Sequence, residues 1–203
     1  MNNAALGTCL ALTAALGAPS SASIIFDFTD SAGLIPDRSD LFDGETSVDI
    51  LLTDPITAQS STLTVAAIGG TLNSNASDFG IGNAFIDGTA EAITLTFDSD
   101  IELISVDLGG VGSDIADGAN LTIDGFSIDL FTGVPGFSGT SDVFTPTSPI
   151  AVAAGTSIVF TGSTVTSIFD LEAATFTIVP EPASFGLAGL GALAALGGRR
   201  RRA

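Results

Sequence analysis

The stretch Glu91-Ala92-Ile93-Thr94-Leu95-Thr96-Phe97-Asp98, followed after Ser99-Asp100 by Ile101-Glu102-Leu103-Ile104-Ser105-Val106-Asp107-Leu108, decides the fold class. Ile93, Leu95 and Phe97 alternate with Thr94 and Thr96, and Ile104, Val106 and Leu108 alternate with Ser105 and Asp107. A period of two sends successive side chains to opposite faces, so each segment is a strand with one face turned to a core. Phe126, Ile128 and Leu130 repeat the pattern against Ser127 and Asp129. Further apolar runs at 24–28, 48–52, 62–68, 121–123, 150–153, 157–161 and 173–179 are separated by Gly, Asp, Asn and Pro clusters, bringing the expected strands to ten. Asp87-Gly88, Asp117-Gly118 and Asp124-Gly125 read as turns. No helical period of comparable length lies between the strands, so the expected fold is all-β, an antiparallel, jelly-roll-like β-sandwich.

The ends of the chain follow other rules. Residues 4–18 form an apolar stretch of the length of a signal-peptide core, and Ser20-Ser21-Ala22 supplies small residues where a signal peptidase reads, predicting cleavage between Ala22 and Ser23. No Lys or Arg precedes the apolar run. At the other end, residues 183–198 carry no charge and, as a helix, cover roughly 24 Å of bilayer, short for a permanent span. Leu187, Leu190, Leu193 and Leu196 recur among Ala and Gly, giving a slim helix able to lie close to another. Arg199, Arg200, Arg201 and Arg202 are costly to move through hydrocarbon and hold that end in the cytoplasm. Pro180 and Pro182 keep Glu181 extended just outside the membrane, in a form a processing cleft can grip.

This order of parts, Val179-Pro180-Glu181-Pro182, an apolar helix and a terminal Arg cluster, resembles the PEP-CTERM family of exported bacterial proteins. The resemblance covers residues 179–202. It implies that Pro180, Glu181 and Pro182 are the sorting motif and the four arginines the cytoplasmic stop. It also implies an exosortase, an integral-membrane cysteine transpeptidase, as the partner that cuts there and passes the protein to the surface. The expected organisation is a signal peptide over 1–22, an acidic ectodomain over 23–178 and a sorting signal over 179–203. The precursor is inserted transiently in the inner membrane, and the product is exported to the cell surface or beyond. A softer likeness to ectodomains of the same family runs through Phe79-Gly80-Ile81-Gly82-Asn83, Ile86-Asp87-Gly88 and the opening stretch, and implies a lectin-like β-sandwich without assigned catalytic residues.

The ectodomain is acidic in the extreme. Of the chain's 23 acids only Glu181 lies outside it, leaving 22 against the single Arg38. Such a surface repels nucleic acid and anionic membrane. The chain has no His, Lys, Tyr or Trp, and its one Cys lies in the signal segment. Histidine general bases, Ser-His-Asp triads, thiol nucleophiles and His- or Cys-bound zinc are thereby excluded from the ectodomain.

Carboxylates and hydroxyls remain. A carboxylate-based glycoside hydrolase would draw on Glu45, Glu91, Glu102 and Glu172, yet every aromatic is Phe, mostly in strand alternation and so suited to a core rather than to a sugar platform. Calcium suits the sequence better, because a hard cation takes carboxylate, amide and carbonyl oxygens. The densest groups are Asp37, Asp40, Asp43 and Glu45, and Asp114, Asp117 and Asn120. Neither has EF-hand spacing, and the competing reading is turn residues and solubilising charge. The function expected is a non-catalytic protein of the surface or extracellular matrix, associated with biofilm or exopolysaccharide; a carbohydrate-binding lectin-like module is the alternative, and a hydrolase a distant third.

Overall fold

The structure, a computed structural model, describes residues 21–29, 38–75, 77–111, 118–131 and 142–180. Among them the alternating segments of the sequence all become strands. One sheet holds β2 (Ser47–Thr53), β3 (Ser60–Ile68), β7 (Ala92–Phe97), β9 (Ala119–Ile123), β10 (Phe126–Leu130) and β13 (Ser157–Gly162), in the order β10-β9-β13-β7-β3-β2. The other holds β1 (Ile24–Asp27), β14 (Ile168–Ile178), β8 (Ile101–Gly109) and β11 (Val143–Phe144) in that order, with β12 (Ile150–Val152) also paired to β8 and β6 (Ile86–Asp87) to β14. A small third sheet pairs β4 (Leu72–Ser74) with β5 (Phe79–Ile81), and α1 (Arg38–Phe42) packs beside β4. Among the described residues every strand pairing is antiparallel, as expected.

Both large sheets feed one hydrophobic core. Phe97 of β7 and Phe176 of β14 meet edge to face with ring centroids 4.8 Å apart, joining the two sheets through an arrangement that aromatic quadrupoles favour. Leu63, Val65, Leu95 and Phe160 come to this core from one sheet and Leu103, Val106, Leu108 and Leu171 from the other. A second group of rings, Phe28, Phe42 and Phe79, fastens α1 and the small sheet to the chain leaving β1, with centroid separations of 5.2 Å for Phe28–Phe79 and 4.6 Å for Phe42–Phe79.

The Asp-Gly signal at 124–125 is a turn between β9 and β10, with φ of 49° at Asp124 and 78° at Gly125. Positive φ at both central residues matches the right-handed twist of a hairpin. Four strands went unanticipated: β4, β5, β6 and β11 are two or three residues long, too short to display a period. The five-residue helix α1 is equally silent. β14 begins at Ile168, five residues before the expected run, because register shifts between Leu171 and Ala173 and between Thr175 and Phe176 break its alternation.

Candidate functional site

The two expected processing points lie at one end of the fold. β1 and β14 run antiparallel with Ile24 opposite Phe176, which brings residues 21–23 beside residues 177–180. The Ser21 hydroxyl donates to the Ile178 carbonyl at 2.9 Å, and the Ala22 N–H donates to the Asp54 carboxylate at 3.0 Å. Asp54 is buried, which pushes its carboxyl up, but N–H groups of Thr57, Ile56 and Ala22 outweigh that and hold it below the usual carboxylate range. On the tail side the Val179 N–H donates to the Asp100 carbonyl at 2.9 Å, and Pro180 follows directly. Of the expected motif, Glu181, Pro182 and Arg199 to Arg202 lie outside the described residues, as do the signal core and the apolar tail segment. Among the described residues no helix is long and apolar enough to cross a membrane. Beside Val179 a hollow of about 330 Å³ is lined by Asp100, Glu102, Ala151 and Val152, with no aromatic ring.

The expected calcium loops are placed only in part. Asp37, Asp114 and Asp117 lie outside the described residues. Asp40 is on α1, and Asp43 and Glu45 lie just after it. The Asp43 carboxylate accepts the Ser74 N–H at 2.8 Å and so ties α1 to β4. Asn120 is within β9, where its side-chain oxygen accepts the Ser127 hydroxyl.

A different set of acids is brought together by sheet register. Asp27 of β1 stands opposite Ala173 of β14, Ala173 opposite Asp107 of β8, and Asp107 opposite Val143 of β11, directly after Asp142. Phe26, Val106, Leu108, Leu171 and Ala174 fill the core side of these strands, so Asp27 and Asp107 turn to the outer face, and Asp170 lies on that side by alternation but is covered. Glu172 occupies the irregularity between Leu171 and Ala173, and Asp170 faces Gly109 of β8. A Cβ at Gly109 would come within 2.2 Å of the Asp170 carboxylate, so the missing side chain there makes the space that the carboxylate fills. Asp170 is 2 % exposed, and its Oδ2 has no hydrogen-bond partner.

These carboxylates repel one another. Burial, followed by the charges of Glu172, Asp78 and Asp142, pushes Asp170 up to about 7. Glu172 is raised by burial and by Asp107, Asp142, Asp78 and Asp27; Asp107 by burial, Asp142 and Asp27; and Asp142 by burial. Among the described residues no three such side chains are gathered tightly enough to form a ready metal cage. A search for acids close together in sequence misses this row, whose members span residues 27 to 172. The signal that could have exposed it is an Asp at the outward position of an alternating strand, as in Ser105-Val106-Asp107-Leu108.

Residues 179–202 match the family model of the PEP-CTERM protein-sorting motif. The motif implies an exported protein targeted to an exosortase and destined for the cell envelope or surface. No curated protein and no solved structure matches the chain.

Proposed function

We propose that this chain, bearing the PEP-CTERM protein-sorting motif, is delivered as a membrane-held precursor and processed at both ends. Signal peptidase cuts between Ala22 and Ser23, and exosortase cuts near Pro180, Glu181 and Pro182. The acidic ectodomain, residues 23–178 in a jelly-roll-like sandwich, then serves at the surface or in the extracellular matrix as a non-catalytic component of a biofilm or exopolysaccharide layer.

The observation that carries this reading is the adjacency of the two processing points. Ser21 is hydrogen-bonded to Ile178, so the signal segment and the sorting tail leave the same end of the fold. Two membrane segments emerging side by side can enter one bilayer together, with the ectodomain standing off on the outer side. β14 ends at Ile178 and the motif begins at Val179, so the cut falls immediately beyond the last strand.

The positions of two glutamates favour a non-catalytic role. Glu102 stands next to Thr177 in the β8–β14 ladder, five positions along β14 from Glu172. That is roughly 16 Å of strand, well beyond the ~5–9.5 Å over which paired glycosidase carboxylates work. The hollow at Asp100 and Glu102 also lacks the ring on which a sugar stacks.

Mass spectrometry of the protein recovered from the cell surface tests the reading. The expected result is an N-terminus at Ser23 and no peptide from residues 187–202. Intact tails throughout the mature surface pool would sink it.

A further inference from the structure

We infer that the outer face of the β1-β14-β8-β11 sheet binds a divalent cation of the calcium type among the carboxylates of Asp107, Asp142, Asp170 and Glu172. The inference is independent of the sorting tail.

Three observations converge on this face. Register sets Asp27 and Asp107 on either side of Ala173 at one level, with Glu172 directly before Ala173 and Asp142 directly before Val143, the residue opposite Asp107. No two of these acids stand directly opposite each other, but like charges on adjoining strands still repel, so the face is unfavourable unless something lies between them. Asp170 supplies the second observation, since it is almost wholly buried with Oδ2 unpartnered. A buried carboxylate oxygen lacking a donor costs free energy that a cation can recover. The third is Gly109, where the absence of a Cβ admits the Asp170 carboxylate against the β8 backbone, alongside Asp107 two residues earlier.

The chain's own cations do not suffice. Between the expected processing points Arg38 is the sole basic residue against 22 acids. The compensating charge therefore comes from solution. A hard divalent ion is the chemical match, because every available ligand is oxygen. Calcium fits better than magnesium: its irregular shell of six to eight ligands accepts carboxylates from different strands with water completing the set, whereas magnesium demands a near-ideal octahedron. With no three side chains tightly gathered beforehand, the ion draws Glu172 and Asp142 toward Asp170 and Asp107 as it binds.

The test uses the full chain in mild detergent, melted above pH 7 after chelation and then with calcium chloride, magnesium chloride or sodium chloride at matched ionic strength. At about a hundredfold excess over Kd, calcium is expected to raise Tm by roughly 5–10 °C, well beyond sodium and beyond magnesium. Asp170→Asn and Asp107→Asn keep the side-chain shape, and each is expected to abolish most of the calcium increment while melting no lower than the parent without calcium. Asp129→Asn, on the exposed part of β10, keeps the full increment. Equal shifts from calcium and sodium, or a full calcium shift in both Asp170→Asn and Asp107→Asn, overturn the inference.

Discussion

The outward face of the sheet β10-β9-β13-β7-β3-β2 and that of β1-β14-β8-β11 rest on the same alternation and are filled in opposite ways. On the first, hydroxyls meet across strands: Thr96 with Ser157 at 2.9 Å, Thr53 with Ser60 at 2.9 Å and Thr122 with Ser127 at 3.3 Å, while Thr64 donates to Asp49 at 2.7 Å. A hydroxyl both donates and accepts, so such a ladder satisfies itself. On the second, the equivalent positions hold carboxylates, which when ionised only accept. Asp107, Asp142, Asp170 and Glu172 gain nothing from one another and favour protons or cations, whereas Asp27 accepts from the N–H and hydroxyl of Thr29. The first face is satisfied within the fold, whereas the second is expected to respond to pH and to cations.

Acidity should separate the two faces most. The raised carboxylates bind protons more tightly folded than unfolded, so their ionisation penalty grows as pH rises; for Asp170 it is absent below about 3.8 and complete above about 7. For Asp170 alone this is on the order of 4 kcal/mol. Asp98 behaves oppositely. The Thr62 N–H and the Ser61 hydroxyl hold it below the usual carboxylate range, so its contribution is present near neutrality and is lost as pH falls through its folded value. Cation-free protein is therefore expected to be most stable in mild acid and to lose Tm steadily toward pH 8. A Tm that climbs from pH 5 to pH 8 in chelator would mean that the carboxylate face does not govern stability.

A smaller effect is expected from Gly109→Ala. Its methyl group would collide with the Asp170 carboxylate, and the adjustment should cost about 2–3 kcal/mol in chemical denaturation. The same substitution should leave the hydroxyl ladder's amide exchange, measured in the native state, unchanged. Smallest is Thr96→Val, which deletes one rung of that ladder but keeps a β-branched side chain; about 0.5–1 kcal/mol is expected, with no change in pH dependence. A pH dependence altered by Thr96→Val would mean that the two faces are not separate.

Alternation made the long strands legible, because Ile93, Leu95 and Phe97 state their face without reference to any other segment. The tail was legible for a similar reason: Val179 to Arg202 carries its message in consecutive residues. β4, β5, β6 and β11 exist only because longer neighbours pair with them, and two or three residues cannot announce that. The acidic row was hidden more deeply. Its members meet through the registers Asp27 to Ala173, Ala173 to Asp107 and Asp107 to Val143, which no single strand encodes. Asp43 carries a tie that loop composition does not disclose, since it accepts the N–H of Ser74 from a distant strand.

β14, eleven residues long, lies between β1 and β8 and leads straight to Pro180. Any attachment made at that end delivers mechanical load along the strand axis, with the ladders to β1 and β8 on either side. Pulled in this direction, the bonds of both ladders are sheared together rather than peeled one at a time. The Val179 bond to Asp100 adds a clasp at the point of loading. Detachment under flow would then be governed by the unfolding rate of this sheet rather than by its equilibrium stability. A tether that leaves from a central strand makes the ectodomain its own shock-bearing element.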